Sequence, residues 1–264
     1  MRILYVGDVM GDMGIEAVEQ ALPQLRLEKK IDLVIAQAEN VTNGRGMSLL
    51  DFKRLQKAGV DFCTGGNHIF EQKELIPALD DPSQPIIRPA NYPAGTAGLG
   101  WKYSDTKAGK VLVISLLGQI VGKHSSLQLD NPLKVVDDIL ESQKDVERVA
   151  TIVNFHGDFS SEKVIIGNYL DGRATAVIGD HWHTPTADAR VLPKGTAHIT
   201  DVGMCGSLDS SLGVTFDSVI PRWRDGIQTR NVLESEGAKQ FNAVLVTADE
   251  AGLADSIEQI RQIL

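Results

Sequence analysis

Short apolar runs punctuate the chain at Ile3–Val6, Leu33–Ala36, Val60–Thr64, Val111–Leu117, Ala150–Val153, Thr175–Ile178, His198–Thr200 and Ala243–Val246. Their brevity and their content of Val and Ile predict β-strands. Between them lie segments with apolar residues at helical spacing, the first over Ile15–Glu28. Ser48 followed three residues on by Asp51 is a capping-box pattern that opens a helix to about Lys57. Asn131-Pro132 sets an N-cap before a proline at the first helical position and leads into a helix to about Lys144. Thr247 and Glu250 repeat the capping pattern and predict a C-terminal helix over Ala251–Ile263. The early alternation reads as parallel β-α-β units. The later strands are less regular, so a mixed α/β sandwich is expected. Residues 91–110, rich in Gly, Ala and Thr, read as a surface excursion. No repeat, low-complexity linker or charge block divides the chain, so residues 1–264 are expected to form one domain.

Composition narrows the classes. The 264 residues carry 26 Lys+Arg against 35 Asp+Glu, a formal charge of −9. An acidic balance argues against an extended nucleic-acid surface, because broad phosphate binding needs a basic face. It leaves room for a small phosphorylated ligand held at one local positive site. A hydrophobic content of 42% suits a globular chain rather than a disordered one. No window approaches the roughly 18 apolar residues of a membrane span. The opening Met1-Arg2-Ile3-Leu4-Tyr5-Val6-Gly7-Asp8 reads as a first strand rather than a signal peptide. Cys63 and Cys205 form no CxxC pair, so a reduced, cytoplasmic protein is expected.

The chemistry gathers at the carboxyl ends of the predicted strands, where α/β folds collect their ligands. Asp8 follows the first, Glu39-Asn40 the second, Gly66-Asn67-His68 the third, His156 the fifth, and His181-Trp182-His183 the sixth. Taken singly, each has a plainer reading. Asp8 reads equally as a helix cap, Glu39-Asn40 as a polar loop, and His156 as a hydrogen-bonded core histidine. His181-x-His183 is the most specific feature. In extended backbone both imidazoles face one side while Trp182 points away. Together these residues are the donor types of a divalent metal site. Four of the six histidines take part, while His124, in a loop, and His198, inside a strand, read as structural.

Read in order, Gly7-Asp8, Glu39-Asn40, Gly66-Asn67-His68, His156 and His181-x-His183 resemble the motif series of the calcineurin-like metallophosphoesterases. Two departures mark a branch: Met10 stands where the first histidine would be, and Glu39 where the bridging aspartate would be. With the stretches MRILYVGDVMGDMG, AENVTNGRGMS and VLPKGTAHITDVGMCG, the chain resembles the YmdB-like bacterial 2′,3′-cyclic-nucleotide phosphodiesterases along nearly its whole length. The resemblance implies a mixed β-sandwich flanked by helices in four α-β-β-α layers. It implies two metal ions per chain, iron first, with manganese or zinc as substitutes. By position, Asp8, Glu39, Asn40 and His183 would hold one ion, and Glu39, Asn67, His156 and His181 the other, with Glu39 bridging. His68 would be the general acid. Three local departures stand at Asn154, where an aspartate is expected, at Asp180, where a small or hydroxyl residue is expected, and at Trp182, where a small polar one is expected. Asp180 is expected to add negative charge near the site.

Two divalent ions set against two carboxylates and a bridging hydroxide leave a positive site that draws an anionic diester despite the acidic chain. The implied reaction is attack of that hydroxide on phosphorus, opening a cyclic nucleotide to a nucleoside monophosphate, with His68 protonating the leaving oxygen. Arg45, in the loop after Glu39-Asn40, is a candidate substrate-phosphate contact or a solvated loop residue. Asp188 and Asp201 are candidates to orient ligand imidazoles. The alternative is a metal-binding regulatory module that senses a cyclic nucleotide with little turnover. A serine hydrolase is discounted for want of a G-x-S-x-G elbow, and nucleotide-binding glycine loops are absent. A homo-oligomer stays open.

Overall fold

A computed structural model of the chain describes all 264 residues. In chain order it runs β1 (Arg2–Val6), β2 (Asp8–Val9), α1 (Gly11–Glu28), β3 (Leu33–Gln37), α2 (Leu49–Ala58), β4 (Phe62–Thr64), α3 (Ile76–Asp80), β5 (Ile86–Ile87), β6 (Trp101–Thr106) and β7 (Gly109–Leu117). It continues with α4 (Pro132–Ser142), β8 (Ala150–His156), α5 (Ser160–Tyr169), β9 (Ala176–Asp180), β10 (Arg190–Val191), β11 (Ala197–Ile199), β12 (Met204–Ser207), α6 (Phe216–Asp225), β13 (Lys239–Ala248) and β14 (Ala254–Ile263).

Strand alternation builds the layers. In β1, Leu4 and Val6 join the apolar cluster beneath α1 and α2, while Ile3 and Tyr5 face the other way. In β7, Val111 and Val113 meet Ile3 and Tyr5, while Leu112 and Ile114 pack toward α4 and α5. Each sheet is thus buried on both faces, which is why its strands read as continuous apolar runs. The result is the four-layer α-β-β-α sandwich. One sheet has the order β2-β12-β13-β1-β3-β4-β5, with β14 paired to β13, and the other β10-β11-β9-β8-β7-β6. β1, β3, β4 and β5 run parallel, as do β7, β8, β9 and β11, so their carboxyl ends open toward one edge of the sandwich. No helix is long and apolar enough to cross a membrane.

Two of the caps form as the sequence patterns indicate. Ser48 Oγ accepts from Asp51 N at 3.1 Å, and Asn131 Oδ1 accepts from Leu133 N at 2.9 Å. The C-terminal expectation fails: Ala254–Ile263 is a strand, paired with β13 from Gln240↔Ile263 to Ala248↔Ala254. The apolar residues Ala254, Ile257 and Ile260 recur every third position and so mimic a helix. In the strand they serve two faces, Ile257 against the inter-sheet core and Ile260 against the layer under α1. The Thr247–Glu250 pattern marks the hairpin instead, where Leu253 N donates to Asp249 Oδ1 at 2.8 Å. The 91–110 excursion also holds a strand, β6, whose Trp101 and Tyr103 pack on the outer core of the second sheet.

Candidate metal centre

The edge where the parallel strands end carries a fully buried acidic knot. Gly7 breaks β1 so that Asp8 can pair beside β12, and a Cβ at Gly7 would collide with the Gly203 carbonyl. Asp8 does not cap α1, whose N-cap is Met10 with no side-chain bond. Its carboxylate accepts from the His181 amide at 3.1 Å and lies 3.8 Å from His183 Nε2. The Asn40 amide lies between them, 3.4 Å from Asp8 Oδ1 and 3.3 Å from His183 Nε2. His183 Nδ1 sits 3.2 Å from the Leu212 carbonyl, an arrangement that fixes a tautomer with Nε2 as the free lone pair. Burial lowers the His183 pKa and so favours that neutral form.

The second cluster lies beside it. Glu39 Oε1 is 2.9 Å from His156 Nε2, and Asn67 Oδ1 is 3.1 Å from the same nitrogen. The His181 ring meets the His156 ring edge-on at 4.5 Å. Ligand atoms of Glu39, His156 and His181 all fall within 4.8 Å of one another. Glu39 Oε2 accepts from the His68 amide at 2.8 Å. Gly66 completes the cradle, since a Cβ there would collide with Glu39 Oε2 and the His156 ring. Burial works against charge on Glu39, but His156 and His68 bring its pKa down to about 2. Burial likewise opposes charge on His156, and the carboxylates of Glu39 and Asp180 overcome it and raise its pKa. At Asp8 the pull of His156 is outweighed. Burial, with Asp180 nearby, pushes its carboxyl well above the usual range.

These residues fit a metal pair on observations of the protein itself. Glu39 Oε1 is buried without a hydrogen-bond partner, its approach to His156 lacking hydrogen-bond geometry. A buried orphan acceptor costs about 1–3 kcal/mol unless something else satisfies it. Asp8, Glu39 and Asp180 bring three carboxylates into a region from which water is excluded. Cations at oxygen and imidazole donors answer both problems, and the donor set suits iron, manganese or zinc.

The histidine pair reaches the cleft by another route than an extended strand. His181 has φ 106° and His183 φ 63°, both positive, where side chains other than glycine are uncommon. Such conformations cost on the order of 1–3 kcal/mol each and persist where surroundings over-determine them. Here Asp8 holds the His181 amide, and Asp201 Oδ2 accepts from the Trp182 amide at 2.9 Å. Trp182 does not point away: it lines the cleft, donates from Nε1 to the Asp158 carbonyl at 3.0 Å, and covers Lys163 Nζ at 4.1 Å. Lys163 is itself fully buried and pairs with Asp201 at 2.7 Å.

Asp201 and Asp188 touch none of His156, His181 and His183. Asp201 holds loop backbone and Lys163, and Asp188 accepts from Thr186 and Thr200. Beyond Glu39 and Asp8, the carboxylates that reach the candidate histidines are Asp180, 2.6 Å from His156 Nδ1, and Asp158, 3.3 Å from His181 Nε2. Asp180 therefore sits behind the histidine rather than at the rim, with Tyr5 donating to it at 2.8 Å and Asn154 at 2.5 Å. Its contact with His156 follows from strand register, His156↔Asp180, which no sequence motif announces. His124 lies in the connection between β7 and α4, where its ring lies 4.7 Å from that of His68, and Glu71 lies 3.3 Å from His68 Nδ1. His198 remains structural, its Nδ1 2.9 Å from the Val177 carbonyl.

A cleft of about 600 Å³ opens over the knot, with His68, Arg45, His181 and His183 in its wall. Met10 packs with Met204, Val214 and Val219 to form an apolar side of it. Residues 4–260 match the family model described as YmdB-like protein. The chain belongs to the YmdB-like family. Over 251 residues it is 37% identical to a Bacillus subtilis 2′,3′-cyclic-nucleotide 2′-phosphodiesterase, covering 95% of this chain and 92% of that one. Among solved structures, the YmdB-like fold is shared with a phosphatase from Mycoplasma pneumoniae (TM-score 0.91, 31% identity, all of this chain and 93% of that one). A hypothetical protein from Thermus thermophilus is similarly close, with TM-score 0.90 and 36% identity over all of this chain and 99% of that one.

Proposed function

We propose that the protein is a binuclear-metal phosphodiesterase that opens 2′,3′-cyclic nucleotides to nucleoside monophosphates. The observation that carries this reading is Glu39 Oε1, fully buried without a hydrogen bond where the two donor clusters meet, beneath a cleft walled by Asn40, His68, His181 and His183. The similarity to the B. subtilis enzyme supports the substrate class. Asp8, Asn40 and His183 would hold one ion, Asn67, His156 and His181 the other, with Glu39 offering an oxygen to each. Iron is the first candidate, then manganese or zinc. When bound, the ions supply Lewis acidity at the phosphoryl oxygens and activate the attacking water.

The chain's own residues supply the rest. Glu71 lies 3.3 Å from His68 Nδ1 and orients the ring. Nε2 is then free to deliver a proton to the ribose oxygen that leaves phosphorus. One P–O ester bond breaks, one P–O bond to water forms, and the ring opens. The Arg45 guanidinium makes no ion pair or hydrogen bond in the protein and faces the cleft, placed to bind substrate phosphate.

The test is metal analysis of the purified protein joined to a screen of 2′,3′-cyclic, 3′,5′-cyclic and linear phosphodiesters. Two metals per chain with selective turnover of the 2′,3′-cyclic class are expected. His68→Ala should keep its metal and lose about 10²–10⁴-fold in kcat. A metal-loaded wild type that binds the nucleotide and releases no product would sink the enzyme reading and leave a sensing module.

A further inference from the structure

The cleft does not stop at the metal centre. It continues past Arg45 and Arg222 into a second lobe, also of about 600 Å³, whose lining includes Arg45, Arg222 and Arg230 and no acidic residue. The chain's arginine ion pairs are made by Arg26, Arg54, Arg173 and Arg224; the three cleft guanidiniums make none. Three arginines without an ion pair line this one lobe in a chain with a net charge of −9. Arg222 is held in place, its Nη2 donating to Asn231 Oδ1 at 2.8 Å and to the Thr229 carbonyl at 3.1 Å, which leaves its other nitrogens to a ligand. At the mouth of the shared cleft Trp223 is 83% exposed, an indole face open for a base to stack upon.

A mononucleotide with a cyclic phosphate carries one anionic group, and the metal centre would take it. With Arg45 beside that phosphate, Arg222 and Arg230 then have no anion to meet. Resting on the phosphodiesterase reading, we propose that the second lobe is a binding site for a further phosphate on the 5′ side of the cyclic-phosphate nucleotide, so that the preferred substrates carry two phosphates. The scissile bond and its products are unchanged. The extra phosphate belongs either to a 5′-monoester or to the diester linking a preceding nucleotide; guanidinium forks recognise both through the same non-bridging oxygens.

Binding and turnover test this separately. Calorimetry on the wild type should give adenosine 3′,5′-bisphosphate an affinity at least about tenfold tighter than adenosine 3′-monophosphate, a difference of about 1.4 kcal/mol. Arg230→Ala, which changes an exposed side chain that lines only the second lobe among these clefts, should collapse that ratio toward one, and Arg230→Lys should restore part of it. In turnover, kcat/KM for the 5′-phosphorylated cyclic nucleotide and for a dinucleotide ending in a cyclic phosphate is compared with that for the plain cyclic mononucleotide. Preference for both assigns the site to phosphate as such, and preference for the dinucleotide alone assigns it to an oligonucleotide diester. Equal affinity for the mono- and bisphosphate, or a ratio unmoved in Arg230→Ala, overturns the second-phosphate site. Absence of turnover on all three substrates overturns the phosphodiesterase reading instead, while the calorimetric ratio still decides the site.

Discussion

At position 180 a carboxylate stands fully buried between Tyr5, Asn154 and His156. The resemblance to the family expects an acid at 154 and a small side chain at 180; here the amide is at 154 and the acid at 180. The two positions lie on neighbouring strands, so a carboxylate remains in the pocket behind His156 although its backbone origin has shifted. A carboxylate on the far nitrogen of a ligand imidazole fixes its tautomer and raises its basicity, and losing such a partner typically costs 10–100-fold in metal affinity. Asp180→Asn is accordingly expected to weaken manganese binding by about that factor in a metal titration. An unchanged affinity would show that Asp180 does not orient His156. The donor residues were legible in the sequence because Asp, Glu, Asn and His stand directly after apolar runs. The contacts of Asp180 and Gln37 with His156, and of Tyr5 with Asp180, were not, since they arise only through strand pairing and across the two sheets.

Among the elements, α5 does more than cover the second sheet. It sends Lys163 through the core to the Asp180 carbonyl and to Asp201, both at 2.7 Å, directly beneath the loop that follows β9. Asp201 in turn holds the Trp182 and Gly203 amides, so the buried pair fixes the backbone of the strained histidine loop. Removing one member of a buried pair typically costs about 3–5 kcal/mol, because the other charge is stranded. Lys163→Met should therefore lower the stability measured by denaturant unfolding by about that much, with Lys163→Met/Asp201→Asn recovering part of it. Burial already raises the Asp201 carboxyl above its ordinary pKa, even with Lys163 beside it. A folded-state pKa above the unfolded one means that the folded form binds the extra proton, so stability falls as pH rises between the two values. In Lys163→Met that interval widens upward, and the deficit should grow from acidic toward neutral pH. A deficit that is flat with pH would show that Asp201 stays paired by other means. Elements were legible where local signals agreed with tertiary demand, as at the Ser48 and Asn131 caps. They misled at β14, where a threefold apolar spacing suited a helix but β13 offered a free edge to pair.

Across the whole molecule, the candidate centre joins two separately built halves. Asp8, Glu39, Asn40 and Asn67 descend from the first sheet, and His156, His181 and His183 from the second. Alternating apolar runs were enough to indicate two-faced strands and hence a layered sandwich. They could not indicate which strand ends would meet across the layers, because that depends on how the sheets stack. Without cations, that meeting point gathers buried carboxylates, and burial with Asp180 nearby holds the Asp8 carboxyl above its usual range. Ions held by donors from both sheets would act as a crosslink that the unfolded chain lacks. A ligand at 100 times its dissociation constant adds about 2.7 kcal/mol to the folded state. For a chain of this size that corresponds to a rise in Tm of about 5–10 °C. Manganese added to chelator-stripped protein should produce such a shift in a thermal melt, and His156→Ala, which removes a donor of the second sheet, should lose most of it. A melting temperature indifferent to manganese, iron and zinc would mean that the two sheets meet without a metal between them.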